Sequence, residues 1–145
     1  HSVFLKGKSW PTSEHYFQAQ KFAGSDQEEN IRNAPTPTMA KYMGKSYKLR
    51  EDWEKVKDQI MFDVVMAKFL QNKDIYRVLL RTGNVPLFEH TKKDSYWGDG
   101  GDGSGRNQLG KTLEKVRSIL DASLRKNSDS KFSSNIIDLK NSKVW

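Results

Sequence analysis

Between Asp52 and Asn72, the side chains Trp53, Val56, Ile60, Val64 and Ala67 recur at steps of three and four, with Met61, Val65 and Phe69 alongside. Apolar residues at that spacing share one face of an α-helix, so the stretch predicts a long core helix that the rest of the chain must cover. Leu109, Leu113, Val116, Leu120 and Leu124 repeat the pattern and predict a second long helix from about Asn107 to Lys126. With 145 residues, of which Phe, Leu, Ile and Val make up about 22%, the chain has material for one modest core.

Punctuation residues divide what remains. Ser2 to Leu5 reads as a strand, followed by a tight turn at Lys6-Gly7. Pro11, Thr12, Ser13 and Glu14 signal a helix start, with the helix expected to run to Gly24. A short helix is expected from Asp26 to about Asn33, with Asp26 as cap and Glu29 closing a capping-box arrangement. Thr36-Pro37 opens a third helix that Gly44 stops, Asp74–Arg81 is another closed by Thr82-Gly83, and Val85 to His90 is expected to be a short strand. Residues 127–145 break the pattern with Asn127-Ser128-Asp129-Ser130 and Ser133-Ser134-Asn135, yet Ile136, Ile137, Leu139 and Trp145 are apolar enough to dock. The expected fold is α+β and mainly α-helical: a single compact domain over 1–126, with a small β element and a Gly-rich loop leading into a C-terminal helix, then a tail. No internal repeat is visible.

Composition removes several functions. No cysteine occurs, which excludes disulfides, thiol catalysis and thiolate zinc sites. His1, His15 and His90 fit no ligating motif, so no metal is expected, and no cofactor is called for. No apolar run approaches the roughly 20 residues that cross a bilayer, and no signal or transit pattern opens the sequence, so an intracellular, cytoplasmic protein without membrane attachment is expected. Lys and Arg outnumber Asp and Glu by 25 to 18, a net charge of +7, which suits a phosphate-bearing partner but also simple solubility.

Two stretches offer chemistry. At about 100° per residue, Glu14, Gln18 and Lys21 fall within about 60° of one another on the first helix, opposite Tyr16, Ala19, Phe22 and Ala23. Such a carboxylate, amide and ammonium suit a polyhydroxyl ligand; the alternative is a solvated face. Residues 94–110 hold six of the ten glycines together with Trp97 and three aspartates, Asp94, Asp99 and Asp102. Trp97 suits stacking on a base, and the free amides of the helix that follows suit an anion; the alternative is a flexible surface loop. Gly105 to Thr112 matches the P-loop pattern GxxxxGK[ST], but no core strand precedes it and Leu109 already belongs to the helical stripe, so the match is taken as accidental and Lys111 as inactive. Calcium is rejected, because Asp99, Gly101 and Gly103 do not present oxygen side chains at alternate positions.

The string from Trp10 to Phe22, WPTSEHYFQAQKF, closely resembles the signature of the NADAR family, also called YbiA-like. So does Trp97-Gly98-Asp99-Gly100-Gly101-Asp102-Gly103 through Asn107 and Leu109-Gly110, and Arg50 to Glu54, Lys57, Met61, Lys68-Phe69, Gln71-Asn72, Thr82-Gly83 and Glu89-His90 fall in family order between them. The resemblance covers roughly residues 1–125; family members usually carry an Asn-Phe-containing strand upstream of Val3-Phe4-Leu5, where this sequence begins. It implies a NADAR-like N-glycosidase domain that hydrolyses a ribosyl C1–N bond. The implied substrates are guanine carrying ADP-ribose on its amino group, in nucleic acid or nucleoside, or the phosphoribosylamino-pyrimidine intermediates of riboflavin biosynthesis, which are nucleotide-like phosphosugars. The rival from another class is a non-catalytic module that binds ADP-ribose or nucleic acid.

The family's functional residues map onto Glu14, Trp53 and Asp94, and local argument extends the site to Gln18, Lys21, Trp97, Gly98, Asp99 and Asn107. Glu14 is the implied base or cation stabiliser and Asp94 its partner in orienting water or the 2-hydroxyl, roles that are exchangeable. Lys21 neutralises a phosphate, holds Glu14 ionised or engages the opened sugar. Trp53 and Trp97 are the candidates to sandwich the base, with core packing the alternative for Trp53. Glu14 and Asp94 are therefore expected to converge on one pocket.

Overall fold

A computed structural model describes residues 1–130, with side chains through Asn127, and its backbone divides into two compact units, His1–Gln71 and the part beginning at Asn72. The first unit opens with a hairpin of β1 (Val3–Leu5) and β2 (Lys8–Trp10), antiparallel with Val3 opposite Trp10. Lys6 and Gly7 both take positive φ, 53° and 74°, as a two-residue turn matched to strand twist requires. The expected single strand is thus a strand pair. Gln71 stitches it to the end of the long helix: its Oε1 accepts from the Phe4 amide at 2.7 Å and its Nε2 donates to the Phe4 carbonyl at 2.8 Å. A side chain thereby supplies the pairing that an edge strand lacks.

Four helices complete this unit: α1 (Ser13–Gln20), α2 (Asp26–Arg32), α3 (Pro37–Met43) and α4 (Trp53–Gln71). The α4 stripe buries Trp53, Ile60, Val64 and Ala67 as expected, with Met61 and Val65 beside them. The centre of the unit is α1, which packs on α2, α3, α4 and β2. Its cap is Thr12, whose Oγ1 accepts from the His15 amide at 3.2 Å. His15 is fully buried, with Nε2 3.0 Å from the Ala34 carbonyl and Nδ1 2.8 Å from Thr12 Oγ1. Because a carbonyl only accepts, Nε2 carries the proton and Nδ1 accepts from the Thr12 hydroxyl. Tyr16 packs edge-on against Trp10 with centroids 5.1 Å apart, and burial, then Asp63 and Glu28, push its hydroxyl pKa up to about 12.

Two local expectations change here. Helix α1 ends at Gln20 rather than Gly24, because the Lys21 carbonyl is taken by the Arg50 amide at 3.0 Å and the chain tightens into three-residue turns up to Gly24 at φ 83°. The cap of α2 is Ser25 rather than Asp26. Its Glu29 is drawn off to Arg32 and Lys8, so the capping box does not form, and Glu28 accepts from the Gly24 amide at 2.7 Å instead. The Arg32 hydrogen bond, followed by the one from Lys8, holds the Glu29 carboxyl down at about 2.

The second unit contains α5 (Lys73–Arg81) and α6 (Gln108–Ser130), packed on each other and joined by residues 82–107. Residues 85–90 form no strand. Their backbone groups are claimed by side chains: Arg117 donates to the Val85 carbonyl at 2.8 Å, and Asn107 donates to Leu87 at 2.8 Å and accepts from Glu89 at 2.9 Å. Helix α6 extends four residues past the expected end at Lys126, since a helix already nucleated continues through polar residues at little cost. The boundary at 126 therefore falls inside a helix, and the proposed tail beyond Ser130, with its apolar docking residues, lies outside the described residues.

Candidate functional site

Two groups of candidate residues assemble, one in each unit. In the first, α1 is buried from His15 through Gln20, so the solvated-face alternative fails, and so does the picture of a helix with one wet side. Gln18 is only 5% exposed, and its Nε2 donates to Glu14 Oε1 at 3.0 Å, one turn back along the helix. Lys21 lies a turn further on, its ammonium 5.8 Å from the centroids of both the Phe17 and Trp53 rings, which pack on each other at 5.2 Å. Burial lowers the Lys21 pKa, against an upward pull from Glu14 and together with repulsion from Lys45 and Lys41. Carboxylate, amide and partly desolvated ammonium thus run along one stripe, as the spacing predicts. Trp53, at the first turn of α4, is 5% exposed; this is the packing alternative realised, with its ring serving as a wall beneath Lys21.

Sequence reasoning missed what holds Gln18. Its Oε1 is buried and accepts no hydrogen bond among the described residues. It lies against the α-carbon of Gly44, where a Cβ would come 2.0 Å from Oε1 and 3.0 Å from Cδ. Gly44 sits at φ −63°, ψ −14°, a conformation open to every residue, so the requirement for glycine there is one of space. Nothing in the sequence separates this from an ordinary helix-stopping glycine. The segment after it stays along α1: Tyr47 packs edge-on against Phe22 at 5.9 Å, and the Arg50 amide bonds the Lys21 carbonyl.

In the second unit the Gly-rich stretch is a loop folded on itself by side-chain and backbone hydrogen bonds. Asp94 Oδ1 accepts from the amides of Tyr96 at 2.9 Å and Trp97 at 2.8 Å, the geometry of a carboxylate-capped turn. Asp99 is buried, accepting from the amides of Gly101 at 2.8 Å and Thr91 at 3.2 Å, with His90 Nδ1 2.8 Å from its other oxygen. The His90 bond, then the Gly101 amide, hold the Asp99 carboxyl below the ordinary carboxylate range, and the same pairing raises His90. Asn107, at φ 51°, turns the chain into α6 while its side chain ties residues 87 and 89 to the loop. Gly98 is buried with no room for a side chain, since a Cβ would meet the Asp94 carbonyl at 2.7 Å and the Glu89 carbonyl at 2.9 Å. Trp97 is half-buried, its ring edge-on to Tyr96 at 4.9 Å. Asp99 and Asn107 thus direct their polar atoms into the loop itself.

One expectation is corrected here. The amides at the start of α6 are not free for an anion: Asn107, Gln108 and Leu109 donate to the carbonyls of Gly98, Tyr96 and Trp97 at 2.9, 2.9 and 3.0 Å. The loop caps the helix with its own backbone. The P-loop reading has no support in this geometry, because no strand precedes Gly105 and the first helical amides are consumed. Among the described residues no acidic or histidine cluster suits a metal ion, and no helix is long and apolar enough to cross a membrane.

The NADAR domain model matches residues 1–121, running through both units. The chain is 49% identical over 120 residues to the N-glycosidase YbiA of Shigella boydii, covering 81% of this chain and 75% of that protein. It is 43% identical over 121 residues to a riboflavin biosynthesis protein of Vibrio vulnificus, covering 82% of this chain and 33% of that one. The NMR structure of Escherichia coli YbiA superimposes with a TM-score of 0.79 at 46% identity, covering 85% of this chain and 74% of that one. This chain belongs to the NADAR domain family. The mainly helical single-domain fold and the expectation of an enzyme of the N-glycosidase class are both met.

Proposed function

We propose that the chain hydrolyses the ribosyl C1–N bond that joins ADP-ribose to the amino group of guanine, in nucleic acid or nucleoside. The observation that carries the reading is the Glu14–Gln18–Lys21 stripe. It holds a carboxylate by an amide N–H and sets it near a partly desolvated ammonium on a buried helix. Cleavage of a ribosyl C1–N bond builds positive charge on C1 and the ring oxygen, and a fixed anion beside them stabilises the transition state more than the ground state. Glu14 is that anion, or takes a proton from the attacking water; Gln18 keeps one of its oxygens directed. Asp94, with Oδ1 anchored by two amides, orients water or the 2-hydroxyl through Oδ2, and the two acids can exchange roles. Lys21 takes a phosphate oxygen, keeps Glu14 ionised or engages the opened sugar. Trp97 offers a face to the base, Trp53 backs Lys21, and Gly98, Asp99 and Asn107 bind substrate through the loop they shape.

A second reading, hydrolysis of phosphoribosylamino-pyrimidine intermediates, is favoured by the relative named for riboflavin biosynthesis. Parallel assays of ADP-ribosyl-guanosine and the phosphoribosylamino-pyrimidine, with release of the free base followed by chromatography, decide between them. Glu14→Gln should lower kcat by about two orders of magnitude with little change in binding. Binding of ADP-ribose without turnover of either substrate would leave a binding module and remove the enzyme. Equal losses of affinity and rate in Glu14→Gln would make Glu14 structural.

A further inference from the structure

The stretch from Asn30 to Arg50 contains no acidic residue, although the chain has 18 Asp and Glu. Its last third leaves the end of α3 and runs beside α1 and the turns that follow it by three contacts already described, Gly44 on Gln18, Tyr47 on Phe22 and the Arg50 amide on the Lys21 carbonyl. Those contacts fix one side of the segment. The other side is open: Lys41, Lys45 and Lys48 are exposed, and none of them takes part in an ion pair among the described residues, whereas Arg50 is neutralised by Asp52 at 2.5 Å. Between these cations stand Tyr42, 69% exposed, and Tyr47, 58% exposed. Turns continue past α3, with the Lys45 amide bonded to the Tyr42 carbonyl at 3.1 Å and the Ser46 amide to Met43 at 3.2 Å, so Lys41 and Lys45 fall on one side a turn apart.

Isolated lysines are ordinary surface. An unpaired run of them interleaved with exposed tyrosines is the composition of a single-strand track, in which cations follow the phosphates and aromatic faces stack on successive bases. We propose that residues 41–48 dock the nucleic-acid strand that carries the modified guanine, with Lys41, Lys45 and Lys48 on its phosphates and Tyr42 and Tyr47 against its bases. This rests on the reading of the substrate given above and adds the polymer to it. A double helix is not what the surface fits, because stacking needs bases with free faces.

The test uses the full chain and an unmodified, fluorescently labelled oligothymidine, with binding followed by anisotropy across a salt series. Replacing the three lysines with alanine should weaken binding at least tenfold and flatten the slope of log affinity on log salt by about 2, at about 0.7 per phosphate contact. Tyr42→Ala, whose ring lies in solvent, should weaken binding about fivefold or more without changing that slope; Tyr47→Ala should do the same. Tyr42→Ala should hydrolyse ADP-ribosyl-guanosine at the parent rate, and in all of these variants KM for a modified oligonucleotide should rise relative to that for the nucleoside. Parent-like affinity and salt slope in the lysine variant would overturn the proposal. So would polyglutamate binding as tightly as oligothymidine with no dependence on Tyr42, which would assign the surface to an acidic polypeptide. Failure of the hydrolase reading is distinct: no turnover of nucleoside or oligonucleotide, with strand binding still dependent on these residues, removes that reading and leaves the surface in place.

Discussion

Gly44→Ala gives a sharp test of how the Glu14 carboxylate is held. A glycine at the end of a helix is ordinarily retained for backbone freedom, but Gly44 has φ −63° and ψ −14°. On backbone grounds alone, alanine there should stabilise the fold by about 0.4–1 kcal/mol through the unfolded chain. The new methyl carbon would, however, lie 2.0 Å from Gln18 Oε1 and 3.0 Å from Cδ. Ordinary contact begins near 3.4 Å, so the amide must move by roughly 1.5 Å. The Gln18–Glu14 hydrogen bond, 3.0 Å long, has little slack and breaks. A hydrogen bond to a charged group contributes about 1.5–3 kcal/mol, so if its hold on Glu14 is realised in the transition state and not in the ground state, its loss should lower kcat by about 10- to 150-fold. The assay is kcat for ADP-ribosyl-guanosine beside Tm, in the parent, Gly44→Ala, Gln18→Ala and the double variant. Gln18→Ala removes the clashing atoms, so adding Gly44→Ala to it should change kcat by less than about twofold, which a general packing defect would not produce. A Gly44→Ala protein with parent kcat and raised Tm would refute the reasoning.

Lys21→Arg should remove the alkaline limb of kcat/KM, which in the parent should fall at a pH below the ordinary lysine value of 10.5, because burial favours the neutral amine; an unchanged limb would take Lys21 out of the reaction. The His90–Asp99 clasp contributes in opposite senses at its two ends. Asp99 is lowered, so its share is present above the ordinary carboxylate value and lost as pH falls through the lowered one, while raised His90 contributes fully below 6.5 and loses its share as pH rises through its raised value. The NMR shift of the Gly101 amide should therefore titrate on the alkaline side of 6.5, and His90→Ala should abolish that titration. Lys111→Ala should leave turnover within about twofold and independent of ATP; lost activity would restore the P-loop reading. A chain ending at Ser130, which keeps α6 whole, should retain turnover on the small nucleoside, as measured by base release.

The elements that periodicity alone specifies, α4 and the body of α6, emerged almost residue for residue, because a buried stripe of Trp53, Ile60 and Val64 has one helical solution. The stripe of Glu14, Gln18 and Lys21 was legible for the same reason. What failed depended on partners distant in sequence. The segment 85–90 has the apolar residues of a strand, but Asn107 and Arg117, some 20 to 30 positions away, satisfy its backbone. The end of α1 falls short of Gly24 because Arg50, distant in sequence, claims the Lys21 carbonyl. In the sequence Gly44 reads as a stop signal, because its contact with Gln18 exists only once the chain is folded.

The enclosure of α1 bears on how a protein of this kind can diversify. Six consecutive residues, His15 to Gln20, are buried there; Gln18 is one of them, and Glu14 and Lys21 flank the run at its two ends. Substitutions along this helix disturb packing and chemistry together, so most random changes in it would be purged whatever the substrate. In the neighbouring run from Lys41 to Lys48, Gly44 is buried against Gln18 and must stay, but Lys41, Tyr42, Lys45, Ser46, Tyr47 and Lys48 are exposed. Variation tolerated there can alter which molecule is presented to an unchanged reaction centre, and a mutant library aimed at new carriers would find more viable members in those positions than anywhere on α1.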